Sequence, residues 1–242
     1  MNNDYDKNYY AWNKLKSHSG LKSNFHLKEL LNKLTYIEAY LENPGAAEKI
    51  SYNLKSLQTE IQDELSERLI MKEYLTGTPT FTMKYLDQLN IESINKDILA
   101  YTREYLETLN EFYKKAYKTA NVKTNEITQS FNLDELQKLK QMHSNKTLEE
   151  FVTNKKTFDY FIETKGDMIQ VRDPIYRDPT HKFIKAHFYA PRKMIAGTFV
   201  PTLWVNVMVI WFMTLMLYIL LYFRVFKKIL DYIERITQKK TY

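Results

Sequence analysis

Residues 194–223 run for thirty positions without a single Asp, Glu, Lys or Arg. Most of that run reads FVPTLWVNVMVIWFMTLMLYILLYF. A helix needs about 20 mostly apolar residues to cross the hydrocarbon core of a bilayer. A surface helix of a soluble domain keeps a polar stripe, and this stretch has none. Trp204 and Tyr222 stand where interfacial aromatic residues belong, and Arg192, Lys193, Arg224, Lys227 and Lys228 flank the run. Residues 202–223 are therefore expected to form a transmembrane helix. Its one strongly polar side chain, Asn206, is expected to face another helix or a cavity rather than lipid.

Charge is placed around this element. The net charge is +6, and residues 224–242, with six Lys/Arg and two Asp/Glu, carry +4 of it. The basic balance is thus juxtamembrane, and it does not read as a nucleic-acid footprint. The chain has no cysteine, which excludes disulfides, thiolate zinc sites and cysteine nucleophiles.

Two topology signals conflict. The first twenty residues lack the continuous apolar core of a signal peptide, so a lone C-terminal span would leave the bulk of the chain in the cytoplasm. Six Lys and Arg follow the span, against the four of its near flank, Lys182, Lys185, Arg192 and Lys193, which favours a cytoplasmic C-terminus. Upstream spans in a longer protein would reconcile the two. The expected location is then the cytoplasmic (inner) membrane, with residues 1–193 extracytoplasmic.

Ahead of the span the pattern is helical. Residues 1–24 are polar with scattered aromatic rings, either a short docked helix or a mobile lead-in. Apolar residues recur at helical spacing over 25–43, 46–75 and 91–123, with breaks at 43–45, 76–79 and 121–125. Two short helices are expected at 132–143 and 147–154, and the only strand-like stretch is 167–172. The fold class is all-α: an antiparallel helical bundle over 25–155, an irregular juxtamembrane collar over 156–198, a transmembrane helix over 199–223 and a basic amphipathic cytoplasmic tail over 224–242. The charged faces around Glu60–Glu67 and Lys114–Lys118 are expected to be solvated, as are carboxylate pairs such as Asp63 and Glu64.

Catalytic signatures are absent. Glycines at 20, 45, 77, 166 and 197 are too scattered for a phosphate-binding loop. No HExxH occurs, and the span lacks GxxxG. His181 and His187, with Asp173 and Asp178, are the one ligand-like cluster, better read as polar residues around a proline turn. Neither a catalytic residue, a metal site nor a cofactor is expected in this chain.

The stretch SNKTLEEFVTN, the DPIYRDP turn, the HFYAPRK collar and the span itself resemble the C-terminal end of large bacterial fused ABC transporters. In those proteins an ATP-binding cassette precedes a type-2, exporter-like permease whose last transmembrane helix follows a helical insertion. The resemblance covers the last hundred residues; over 26–143 only helical rhythm and tyrosine content are similar. It implies a membrane-transport component, the C-terminal permease portion without its cassette, and therefore no enzyme by itself. Asp173, Pro174, Tyr176, Pro179, Tyr189, Pro191, Arg192, Lys193, Gly197, Trp204, Asn206 and Trp211 would shape the junction and pack against neighbouring permease helices. The implied partners are the lipid bilayer, other permease helices and an ABC cassette, with a homodimer left open. The alternative is a tail-anchored scaffold whose bundle binds a protein partner.

Overall fold

A computed structural model describes residues 3–70, 81–132, 134, 137, 138, 141, 142, 145–179, 185–187, 190–224 and 227. These fall into two compact units, one ending at residue 179 but including 187 and 190, the other comprising 185, 186 and residues from 191 onward.

The first unit is a helical bundle. Helix α1, Asn3–Leu21, runs through a π-helical turn, Lys22–His26, into α2, Leu27–Tyr40. The 3-10 turn Pro44–Ala46 follows, opened by the Asn43 side chain accepting from Gly45 N, and returns the chain into α3, Ala47–Ile70. Helix α4 spans Lys96–Gln129 and α5 Lys146–Thr153. Helix α1 packs along α4, and α2 packs on both α3 and α4. Leu27, Leu30, Leu34 and Ile37 meet Ile50, Leu54, Leu57 and Ile61, with Leu99, Leu106, Leu109 and Tyr113 closing the core from α4. Each such side chain gains about 1.5–3 kcal/mol by leaving water.

Several elements depart from the expected pattern. The polar lead-in takes the first of its two expected forms, a docked helix. The 121–125 break does not occur: Ala120 and Thr124 are buried, and the Thr124 hydroxyl donates to the Ala120 carbonyl at 2.7 Å, so α4 continues to Gln129. Its start is later than the apolar period suggests, at Lys96, because the Asn95 side chain caps it by accepting from Ile98 N at 2.8 Å. The helix expected at 132–143 and the end of the one expected at 46–75 lie largely outside the described residues.

Two β-hairpins complete the described residues. Strands β1, Phe161–Thr164, and β2, Asp167–Gln170, pair antiparallel and pack on α3. They belong to the bundle unit, so that part of the expected collar is a strap on the bundle. In the second unit, β3, Arg192–Ile195, pairs antiparallel with β4, Thr198–Pro201, and leads into α6, Thr202–Tyr222. The collar is ordered here because Ala196 and Gly197 both adopt positive φ, the backbone that a two-residue hairpin loop requires. Helix α6 has 21 residues with a mean hydropathy of 2.1 and is almost wholly exposed. It is long and apolar enough to cross a membrane, and among the described residues it is the one such helix.

Candidate functional site

The residues singled out from sequence divide between the two units. Asp173, Pro174, Tyr176 and Pro179 lie in the bundle unit; Pro191, Arg192, Lys193, Gly197, Trp204, Asn206, Trp211, Arg224 and Lys227 lie in the unit of the apolar helix. Tyr189, Lys228 and His181 fall outside the described residues.

In the second unit the hairpin is rooted on the start of α6. Thr202 N donates to the Pro191 carbonyl at 3.0 Å, closing the base of the hairpin. The Arg192 guanidinium lies 4.0 Å from the centroid of the Phe199 ring, a cation–π contact across the two strands. Lys193 Nζ donates to Asn206 Oδ1 at 3.2 Å. Asn206 thus accepts from the lysine of its own hairpin. Val205 is the one residue of α6 that is buried. Trp204 and Trp211 are exposed, Trp211 to 76%. Pro201 ends β4 and precedes the first turn, where its missing N–H costs no helical hydrogen bond.

In the bundle unit the Asp-Pro turn is bound to α1. Asp173 adopts φ of 53°, a left-handed conformation that Asp tolerates better than most residues. Its N–H donates to the Thr153 carbonyl at 2.8 Å, and Ser17 Oγ donates to its Oδ2 at 2.7 Å. Its Oδ1 is sealed from solvent and has no hydrogen-bond partner among the described residues. Tyr10 donates to the Ile175 carbonyl, and Lys14 pairs with Asp178. His187 Nε2 lies 2.6 Å from the Pro174 carbonyl and donates to it. Burial lowers the His187 pKa despite that bond. The histidine is thus committed to a backbone group, and among the described residues no cluster of three or more His, Asp or Glu could hold a metal ion. Beside this turn opens a groove of about 720 Å³, lined by Tyr9, Ser17, Tyr117, Tyr160, Arg172 and Asp173 among others.

Sequence reasoning missed a buried ionic seam. Glu60 and Glu64, expected on a solvated face, are 5% and 1% exposed, and Arg68 beside them is 1% exposed. The core stripe of α3 changes character after Ile61, where Glu64 and Arg68 turn inward and Leu65 is only half-buried. The π-helical turn adds a residue to one helical turn and aims both Lys22 and His26 at α3. Lys22 pairs with Glu67 at 2.8 Å, and His26 Nε2 lies 2.7 Å from Glu60 Oε2. Tyr113 donates to Glu64 at 2.9 Å, and Arg68 reaches Glu64 at 3.2 Å and the Phe81 carbonyl at 2.8 Å. Burial raises the Glu64 pKa, outweighing Arg68. Burial also pushes Glu67 upward, but Lys22, His18 and Arg177 together hold it down at about 2. His18 falls to about 4 because it is desolvated. His26 falls for the same reason, aided by Lys22, so at neutral pH it donates Nε2–H to the Glu60 carboxylate. The available signal was the repeat of His18, Lys22 and His26 at i, i+4, i+8 among aromatic residues, which a solvated helix does not need.

No family model matches the chain, and neither a curated protein nor a solved structure is similar to it.

Proposed function

We propose that this chain is a membrane-inserted component of a transport system, the C-terminal permease portion of an assembly whose ATP-binding cassette lies elsewhere. The observation that carries the reading is α6 itself. It is a 21-residue helix that is 6% buried over its apolar window, with cations beyond both ends. Such a surface is stable in lipid or against other apolar helices, and nowhere else. The resemblance of the last hundred residues to fused ABC exporters supplies the transport context. In this reading the bundle lies outside the cytoplasmic membrane and the C-terminus inside. ATP hydrolysis belongs to the cassette.

The experiment is topological and uses the absence of cysteine. Val122, on α4, is 53% exposed. A Val122→Cys variant in intact cells or spheroplasts should react with a membrane-impermeant maleimide. Labelling without lysis supports the permease reading. Labelling only after lysis overturns it and favours the second reading, a tail-anchored scaffold. That alternative draws support from Leu148, Phe151 and Phe158, exposed to 57%, 64% and 95%, a surface suited to a protein partner.

A further inference from the structure

We propose that the groove beside the Asp-Pro turn binds a short acidic oligosaccharide. Its lining residues all belong to the bundle unit, so the inference stands apart from the transport reading. The groove follows one face of α1, where Tyr9, Asn13, Ser17 and Gly20 recur at intervals of three or four residues. Tyr9 and Leu21, which also lines it, are twelve residues apart, about 18 Å along the helix axis. That is the length of several sugar rings in line. Helix α4 contributes Tyr117, and the segment leading to the Asp-Pro turn contributes Tyr160 and Arg172.

The surface chemistry favours a sugar over a peptide. Five lining side chains are aromatic: Tyr9, Phe25, Tyr117, Tyr160 and Tyr176. Tyr9, Phe25 and Tyr117 are 36%, 37% and 36% exposed. The negative face of an aromatic ring suits the C–H face of a pyranose. Two of these rings are placed before any ligand arrives. At Gly20 a Cβ would sit 3.1 Å from Tyr117 Cδ2, so the missing side chain lets that ring rest against α1. Phe25 stacks on Tyr160 with centroids 3.6 Å apart and 14° between the planes, and more than a third of Phe25 still remains open. The π-helical turn arranges this: with Lys22, Ser23 and His26 directed inward, Asn24 and Phe25 face the groove. A peptide would find less. The backbone of α1 is hydrogen-bonded within its own helix and offers no ladder to a main chain. Among the described residues the one aliphatic side chain lining the groove, Leu21, is 6% exposed, so no pocket awaits an apolar side chain.

Charge selects an acidic sugar. Glu149 is paired with Lys155, and Asp173 accepts from Ser17 Oγ while its Oδ1 is sealed from solvent. Lys16 and Arg172 line the same groove, and among the described residues neither forms an ion pair. The Arg172 guanidinium lies 4.7 Å from the centroid of the Tyr160 ring, a contact that steadies the planar fork and leaves its donors unspent. A uronate carboxylate matches that fork.

The test is titration calorimetry on the full chain in detergent micelles, with tetragalacturonate, neutral maltotetraose and a tetraglutamate peptide as probes. Tetragalacturonate should bind about tenfold more tightly than either of the others. Arg172→Gln should remove its margin over maltotetraose, and Arg172→Lys should restore only part of it, because an ammonium lacks the fork. Tyr117→Ala should weaken tetragalacturonate about tenfold, while Tyr117→Phe, which keeps the ring, should bind it as the parent does. Melting curves by circular dichroism separate lost binding from lost fold, and Arg172→Gln decides the matter should Tyr117→Ala not fold. No binding of tetragalacturonate, equal binding of tetraglutamate, or a margin that survives Arg172→Gln overturns the proposal. None of these results touches the transport reading, which the maleimide experiment decides.

Discussion

Glu64 is 1% exposed and holds its place through Tyr113, Tyr105 and Arg68. A carboxyl buried this way is costly to keep charged, and its partner is costlier to abandon. Glu64→Leu should lose about 3–5 kcal/mol, because it leaves the Arg68 guanidinium buried without its ion partner. The double variant Glu64→Leu with Arg68→Met should recover most of that loss. Chemical denaturation followed by circular dichroism measures both; a double variant as unstable as the single one would sink the argument. The histidines set the acid response. His18 faces Glu67, Lys22, Lys14, Asp178 and the ring of Tyr113, and its folded pKa of about 4 lies below the ordinary 6.5. The unfolded chain binds the proton more readily, so this contribution is present above pH 6.5 and is lost as pH falls toward 4. Glu67, held at about 2 against an ordinary 4.5, adds a second loss only below pH 4.5. The melting temperature should fall between pH 6.5 and 4.5, and His18→Gln should make that fall shallower. An unchanged slope would show that His18 is not the group responsible.

The elements that matter most are those that bend the chain. The π-helical turn keeps α1 and α2 continuous while turning Lys22, Ser23 and His26 inward. Such turns sacrifice regular hydrogen bonding and persist where the redirected side chains find partners. The β3–β4 hairpin depends on Gly197, at φ of 85°, with open space where a Cβ would sit. Space is therefore not the constraint there; backbone conformation is. Gly197→Val should destabilise the hairpin by about 1–2 kcal/mol, while Gly197→Asn, which enters the left-handed region more readily, should cost less. Proteolytic nicking at Arg192 or Lys193 reports the hairpin directly. Equal protection in both variants would mean that the loop conformation is not what holds it.

At the scale of the molecule, a bundle with a complete core shares a chain with a helix that has almost no protein cover. The full chain should resist extraction by alkaline carbonate and by high salt, since apolar insertion is insensitive to ionic screening. Removing residues 202–242 should release it to the soluble fraction, and retention of that truncated chain would show that the bundle carries its own membrane affinity. Much of this architecture was legible beforehand. Apolar runs and helical spacing respond to water alone, so α2, α3, the body of α4 and the long apolar helix α6 could be read from residue order. The seam could not, because Glu60, Glu64 and Arg68 look like any solvated i, i+4 set until Lys22, His26 and Tyr113 arrive from other elements. The hydrogen bond from Lys193 to Asn206 was likewise not legible, because it depends on the hairpin that brings the lysine to the start of α6. By itself, the order of residues determined which segments leave water. Only the tertiary structure decided which charges go with them, since burial of a charge depends on a partner that lies far away in sequence.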